Sequence, residues 1–474
     1  NRTTTLDNDV LNISGDWTVN AGDIDFNAND SGNVIISGND IILNAEKIVA
    51  KNAMYTVNLL ERGYVNVKDY GAVGDGETDD TAAIRAAMKN NHMIFFPEGL
   101  YLIKGVLNID KKSIYGVGFK DDPTDGNMPL GSVFVFNDTT SYITTNTATL
   151  YGMGFYHTIN STDKTPTPCE TTLQITGTPG MIIRNCFFYN SYNAISFSGK
   201  SNGRILIEGC FIYGINKGII LNSILDRINI DGCFITVGVF QNTSITGKQQ
   251  LAKYTINNGT GIEISGRVDD CSITNSIIYG YNKSIHIVDS NCDMLTISDV
   301  LFDSCVYAIL SDGSGRIVNC VISNSILHNT STRYDGTYYA GFRFANQSDT
   351  IDNILFNNCS ANMYNHSAFA QFSNKSNVSI SGCYLLNFSS GITNDGDSSN
   401  VMLIDSTFFS SSYSNSSALT LGEIGIYSLN NCYIKSDYSC NSIKSNTGLF
   451  TGNIIYNKTG TILGDKNDIH YDSN

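Results

Sequence analysis

The stretch LIEGCFIYGINKGIIL, residues 206–221, holds two short apolar runs, with Cys210 after a glycine in the first and Ile219 in the second. Neither run is long enough for a buried helix, and the turn residues between them punctuate strands. The first run recurs along the chain as IIRNCFFYN (182–190), INIDGCFITV (228–237), SITNSIIYG (272–280), TISDVLFDS (296–304) and RIVNCVISN (316–324). It continues as LFNNCSANM (355–363), SISGCYLLN (379–387), MLIDSTFFS (402–410) and SLNNCYIKS (428–436). Aligned on one anchor, these read Cys186, Cys210, Cys233, Ser276, Val300, Cys320, Cys359, Cys383, Ser406 and Cys432. Most steps are 20 to 26 residues, and the steps 233 to 276 and 320 to 359 are longer. Ile195, Ile219, Ile285, Ile309 and Ile392 each follow their anchor by nine residues.

A unit of about 23 residues with two or three short strands cannot bury its own apolar face, whereas stacked units bury a continuous core. The repeat therefore predicts an all-β right-handed parallel β-helix, its hand taken from strand twist. The phase assigns faces. Ile207, Ile230, Ile273, Ile297 and Ile317, three before the anchor, point inward, as do the isoleucines nine after it. Alternation places Ser196, Ile220, His286, Leu310 and Thr393 outside.

With 41% hydrophobic residues the chain can form a large core. A net charge of -15 argues against nucleic-acid or anionic-membrane partners, and no apolar run has the length of a membrane span. The first residues, NRTTTLDNDV, show no signal-peptide pattern. Seven of twelve cysteines fall on the anchor, which favours a ladder of reduced, inward thiols over a disulfide scaffold. No Cys or His spacing suits zinc, and no cofactor or metal is expected; calcium stays open through Asp and Asn oxygens, without a dedicated loop.

Residues 1–63 lack the period and read as a β-rich stalk that intertwines copies of the chain, or as an irregular β extension. Residues 64–105 form a cap and the start of the solenoid, and 106–474 the β-helix. Within 64–105, TDDTAAIRAAMKNN (78–91) reads as a helix capped by Thr78 or Asp79, with acids in its first turn and Arg85 and Lys89 late. VKDYGAVGDGETDDTAAIRAAM, followed by MIFFPEGLYLI, resembles the N-terminal signature of the pectate-lyase-like β-helix superfamily, DFGAxGDGxTDDTxAI leading to xxFPxGxY. The likeness covers about 36 residues (67–103), and within the superfamily the chain looks most like a bacteriophage tailspike or capsule depolymerase. That resemblance implies a homotrimer on a phage tail or baseplate, joined through the N-terminus, that binds and cleaves bacterial surface polysaccharide. It implies no catalytic set: the Asn-Thr-Asp, Asp-Asp, His-Gly and Arg-x-Lys groups of polygalacturonases have no ordered copy, only fragments in GITNDGDS (391–398) and VDDCS (268–272).

The repeat itself points to a site. Both long steps place their extra residues, 237–260 and 328–340, in the same turn, three coils and about 14 Å apart. Loops so placed wall a groove. Facing it are Glu263, His286, Leu310 and Arg343 on one strand and Tyr279, Asp303 and Ser323 on the other, with Arg333, Tyr334, Asp335, Tyr338 and Tyr339 in the second loop. Aromatic faces, carboxylates and arginines suit a glycan. Glu263 with Asp303 is the first choice for a pair of hydrolytic carboxyls, with Asp312, Asp335 and Asp289 in reserve. Glu208 and Asp231, stacked on another face, form a second pair whose bland reading is two solvated side chains. A lyase using His286 as base beside the Arg343 cation, a non-catalytic glycan-binding spike and a secreted bacterial hydrolase remain open.

Overall fold

The computed structural model describes residues 63–471 apart from 121–129, 162–164, 178–179, 202–203, 237–245, 330–339, 346–350, 364–367, 373–375, 395–399, 412–415, 421–424, 437, 442–448 and 458–465. The stalk expected at 1–63 thus lies almost wholly outside the described residues. Nearly every strand pairs in parallel with a strand one coil before and one coil after, the arrangement of a parallel β-helix. Among the described residues the antiparallel exception is Phe119–Lys120 against Leu130–Phe136. No helix there is long and apolar enough to cross a membrane.

The core is a set of one-residue-wide stacks. Ile207, Ile230, Ile273 and Ile297 lie in register and buried, and the stack continues through Ile322, Phe356 and Ile380. A second runs through Ile195, Ile219, Ile262, Ile285, Ile309 and Phe342. Each fully buried side chain contributes about 1.5–3 kcal/mol, so the stacks, not the turns, hold the solenoid together.

The turn before the anchor explains the Asn/Gly–Cys signature. Asn185, Gly209, Gly232, Asn275, Asp299, Asn358, Gly382 and Asn431 all have positive φ, between 50° and 65°, a conformation that Gly, Asn and Asp tolerate best. Glycine is required where the amide of the coil below fills the space: a Cβ on Gly382 would lie 2.4 Å from Oδ1 of Asn358.

Two anchors shift. Asn319 and Asn324 both take positive φ, five residues apart, and each precedes a small inward side chain. Cys320 fits the sequence pattern but stacks on Leu295, while Ser325 holds the anchor: its Oγ accepts the N–H of Val300, and Ile326 N bonds to Val300 O. The inward residue three before it is accordingly Ile322, and Ile317 stacks on Cys292. Likewise Ser406 is the positive-φ residue, at 49°, and Thr407 is the buried anchor.

Eleven described cysteines are buried free thiols. Burial pushes the Cys292 and Cys305 thiols up to about 12 and Cys432 to about 11. Thiol reagents need an accessible thiolate, so none of these eleven reacts within minutes in the native state, and all do in denaturant. A disulfide-exchange absorbance assay with and without guanidinium reads this directly.

The motif at 68–88 is rearranged relative to its sequence reading. Helix α1 spans Thr81–Met88, later than expected and with no acid in its first turn. Asp75–Asp79 is a strand. Asp79 Oδ1 accepts Thr81 N at 3.0 Å, while Asp75 folds over its own turn, accepting Glu77 N, Thr78 N and Thr78 Oγ1. Asp80 stands at the N-cap position but makes no capping bond; its carboxylate turns back to accept Val73 N and Gly74 N. Arg85 does lie in the last turn, and Ile84, Ala87 and Met88 enter the core.

A polar island interrupts the core near the start. His157 is fully buried, its ring stacked 4.7 Å from Phe136 and its Nε2 2.9 Å from Thr172 Oγ1, which in turn donates to Ser191 Oγ. Burial lowers its pKa to about 4, against a weak opposing pull from Asp138. Between pH 6.5 and 4 the unfolded chain binds a proton that the folded chain refuses, so stability is complete above that window and falls as pH drops through it. The loss is about 3 kcal/mol. Urea midpoints at about pH 7 and about pH 4.5 separate more for the native chain than for His157→Gln, in which this proton uptake is gone.

Candidate functional site

The two insertions leave the solenoid at register-matched positions. Thr236, Tyr279, Asp303 and His328 stack in successive coils; the chain departs into the first insertion after Thr236 and into the second after Asn329. The described part of the first, from residue 246 on, is helical. Helix α2, Thr246–Asn258, lies on the coils, with Leu251, Ala252 and Ile256 buried and Thr255 Oγ1 donating to Ile215 O at 2.6 Å. Lys283 N reaches Gly259 O, and Tyr281 OH donates to Gly214 O. The apolar spacing at 251, 252 and 256 was the available signal for this helix. The second insertion, with Arg333, Tyr334, Asp335, Tyr338 and Tyr339, lies outside the described residues.

The register also changes the groove's membership. Moving the anchor from Cys320 to Ser325 replaces Ser323 by His328 as the outward neighbour of Asp303. Ser323 instead stacks on Ser298, on a different face. His328 Nδ1 lies 3.3 Å from Asp303 Oδ1, which also accepts Ser304 Oγ at 2.9 Å. The second asparagine, Asn324, is the signal in the sequence that marks this register.

On the neighbouring strand Glu263, His286, Leu310 and Arg343 form one ladder, as expected. Leu310 is nevertheless covered, at 7% exposure, while Arg343 is exposed. His286 Nε2 sits 2.8 Å from Asp312 Oδ1, and its side chain is 11% exposed. Glu263 Oε2 pairs with Lys217 Nζ at 2.6 Å, toward the preceding coil. The structure thus brings His286 to Asp312 and Asp303 to His328. Glu263 and Asp303 are not in contact: they stand two coils apart, about 10 Å along the axis. Two His–carboxylate contacts thus stand on adjoining strands, each imidazole held by an acid.

The other candidates have structural partners. Asp289 Oδ1 accepts Ser314 N and Ser314 Oγ, bonds that hold its carboxyl below the usual range and pin a turn. Glu208 binds Arg184 Nε at 2.7 Å, whereas Asp231 accepts Thr274 Oγ1 and Asn275 Nδ2. The stacked pair is splayed, each acid engaged with a different partner. Among the described residues no three His, Cys, Asp or Glu side chains converge as metal ligands.

Residues 64–249 match the family described as rhamnogalacturonase A/epimerase, pectate lyase-like. That match ends within the first insertion, before Glu263. The pre-neck appendage protein of Bacillus phage B103 is 31% identical over 93 residues, 19% of this chain and 11% of that one. A LysM effector of Penicillium expansum is 31% identical over 152 residues, 27% of this chain and 12% of that one. The chain therefore spans only about an eighth of the length of these curated relatives. The pre-mature gene product 12 of bacteriophage phi29 superposes with a TM-score of 0.53 at 13% identity, over 88% of this chain and 68% of that one. Its N-terminal fragment gives a TM-score of 0.50 at 13% identity, covering 86% of each chain. Residues 64–249 thus resemble the pectate-lyase-like family, and the described residues share the fold of that phage protein, a parallel β-helix.

Proposed function

We propose that this chain is a phage virion protein that binds a bacterial surface polysaccharide in the groove flanked by the two insertions and hydrolyses it. The observation that carries the reading is the polar strip that runs beside and between the register-matched insertions: Lys217–Glu263, His286–Asp312 and Asp303–His328. The phage relative and the pectate-lyase-like match support the setting.

In this reading Asp303 and Glu263 supply the two carboxyls and His286 the nearby proton carrier. Glu263 exchanges Lys217, and Asp303 exchanges His328, for sugar hydroxyls when glycan binds. An axial offset of about 10 Å at the backbone suits the roughly 6.5–9.5 Å carboxyl spacing of inverting hydrolysis better than the roughly 5–5.5 Å of a covalent intermediate. Tyr279, Asp312 and Arg343, with Arg333, Tyr334, Asp335, Tyr338 and Tyr339 from the second insertion, bind the chain of sugars.

A second reading has one observation in its favour: His286 is oriented by Asp312, and Arg343 stands two coils along the same ladder. These are a base and a cation for β-elimination from a uronate. Incubation with purified capsule, O-antigen and cell-wall glycans separates the outcomes. New saturated reducing ends support hydrolysis, and an ultraviolet-absorbing unsaturated product supports elimination. Binding with neither product contradicts both and leaves a glycan-binding spike.

A further inference from the structure

The groups proposed to hold the glycan stand on two different strands of their coils. Asp303 ends Leu301–Asp303, before a corner, whereas His286 and Asp312 lie on Lys283–Ser298 and Tyr307–Asp312, after one. A sugar chain in contact with both sides therefore passes over a corner. Helix α2 shuts most of the corners near the site. It is itself part of the corner of the coil anchored at Cys233. Thr255 donates its hydroxyl to Ile215 O in the coil before, and its carbonyl accepts Asn282 N from the coil after. With Leu251, Ala252 and Ile256 buried, the helix roofs the corners of three successive coils.

The next corner is short and lies between the two insertions. In the coil anchored at Val300, Ser304, Cys305 and Val306 alone separate the two strands. In the coil after it, the second insertion departs at Asn329 and the chain is a strand again from Ala340. Tyr307 begins the strand on the far side of the short corner. Its register partners in the preceding coils are Lys283, Thr260 and Lys217, and Lys217 Nζ reaches Glu263, so this column borders the polar strip. Tyr307 is half-buried, and among the described residues its side chain makes no hydrogen bond and no ring contact. A phenol ring joins an apolar body to a polar tip, a combination that packs on the C–H face of a sugar and still bonds its hydroxyls.

We propose that Tyr307 is a further glycan-binding residue, and that the polysaccharide crosses the solenoid over it, transverse to the axis, from Asp303 to His286 and Asp312. This rests on the groove reading above and adds to it a residue and a direction. A chain running along the axis follows one ladder and meets one side of the site alone. That side is Tyr279, Asp303 and His328, or else Glu263, His286 and Arg343. The transverse path meets both sides, passing between helix α2 and the point where the second insertion departs. The sugar above Tyr307 is one that presents a face of ring C–H groups.

Equilibrium titration of the full chain with oligosaccharides from purified capsule, O-antigen and cell-wall glycans tests it. Tyr307→Ala is expected to raise Kd by about tenfold or more, the effect of deleting one central aromatic contact. Tyr307→Phe keeps the ring and stays close to native. Tyr384→Ala, at a 46% exposed tyrosine on another face, binds as the native chain does. The sequence has one Trp, Trp17, so Tyr307→Trp adds a reporter, and its indole emission shifts on binding where the native signal does not. Native Kd in Tyr307→Ala, or a silent indole in a Tyr307→Trp chain that binds, overturns the route and leaves the glycan reading standing. Equal weakening by Tyr384→Ala overturns it too, since the loss is then one of general packing. A native chain that binds none of the three glycans sinks the groove reading, and the route with it.

Discussion

If the chain cleaves glycan as proposed, Asp303→Asn is expected to lower the rate by about 10²–10⁴-fold, the contribution of a positioned acid or base. Asn keeps the volume of the side chain and an oxygen for Ser304 Oγ, so the solenoid stays intact and the circular dichroism melt is nearly unchanged. What it removes is the charge facing His328 and the capacity to carry a proton. Glu263→Gln behaves similarly in rate. Glu208→Gln, whose parent carboxylate pairs with Arg184 on another face, keeps cleavage within about twofold, since exposed ion pairs contribute little. Initial rates of reducing-end release for the three variants measure the contrast. Equal rates for native chain and Asp303→Asn would remove Asp303 from the chemistry.

Asp80→Ala is expected to lower the stability of the solenoid's first coils by about 1–3 kcal/mol, because it leaves two part-buried backbone donors without their acceptor. Asp80 is 1% exposed, and its two carboxylate oxygens accept Val73 N at 2.6 Å and Gly74 N at 3.0 Å. Burial raises its pKa, and the two N–H donors work against that rise. A solenoid is stabilised coil by coil, so the damage stays local. Hydrogen exchange accelerates across 65–103, including Leu100 N, which bonds to Gly74 O, while the coils beyond residue 180 exchange as before. Asp80→Asn retains one acceptor and loses less. Uniform exchange rates in Asp80→Ala would show that the loop is held by something else.

The fold was legible because a parallel β-helix writes its geometry into the sequence with period. Each coil needs a positive-φ residue and then a small inward one, and Asn-Cys or Gly-Cys satisfies both. The same economy misleads where two such turns fall close together. Asn319-Cys320 and Asn324-Ser325 obey one local rule, and only pairing with the coil below distinguishes them. That five-residue slip hid His328. At Ser406 the pattern misleads because a serine at positive φ is rare, so the following threonine resembles a strand residue. At 75–81 the run of acids resembles a helix start, but acceptance of Val73 N and Gly74 N draws Asp80 away from capping. Helix α2 depends on the coil surface beneath it, through Thr255 and Ile215, which no local propensity encodes.

For the site, the period placed the ladder of Glu263, His286 and Arg343 and the position of both insertions. Side-chain partners were beyond it. Whether Glu263 faces Asp303 or Lys217 depends on rotamers and on charges one coil away, not on spacing.

If glycan lies between the insertions, across Asp303 and His286, a crystal structure of the Asp303→Asn chain with an oligosaccharide of the cleaved polymer shows it there. Sugar density in contact with residues 303, 286 and 343 is the expected result. Well-ordered sugar on another face, with this groove holding only water, would contradict it.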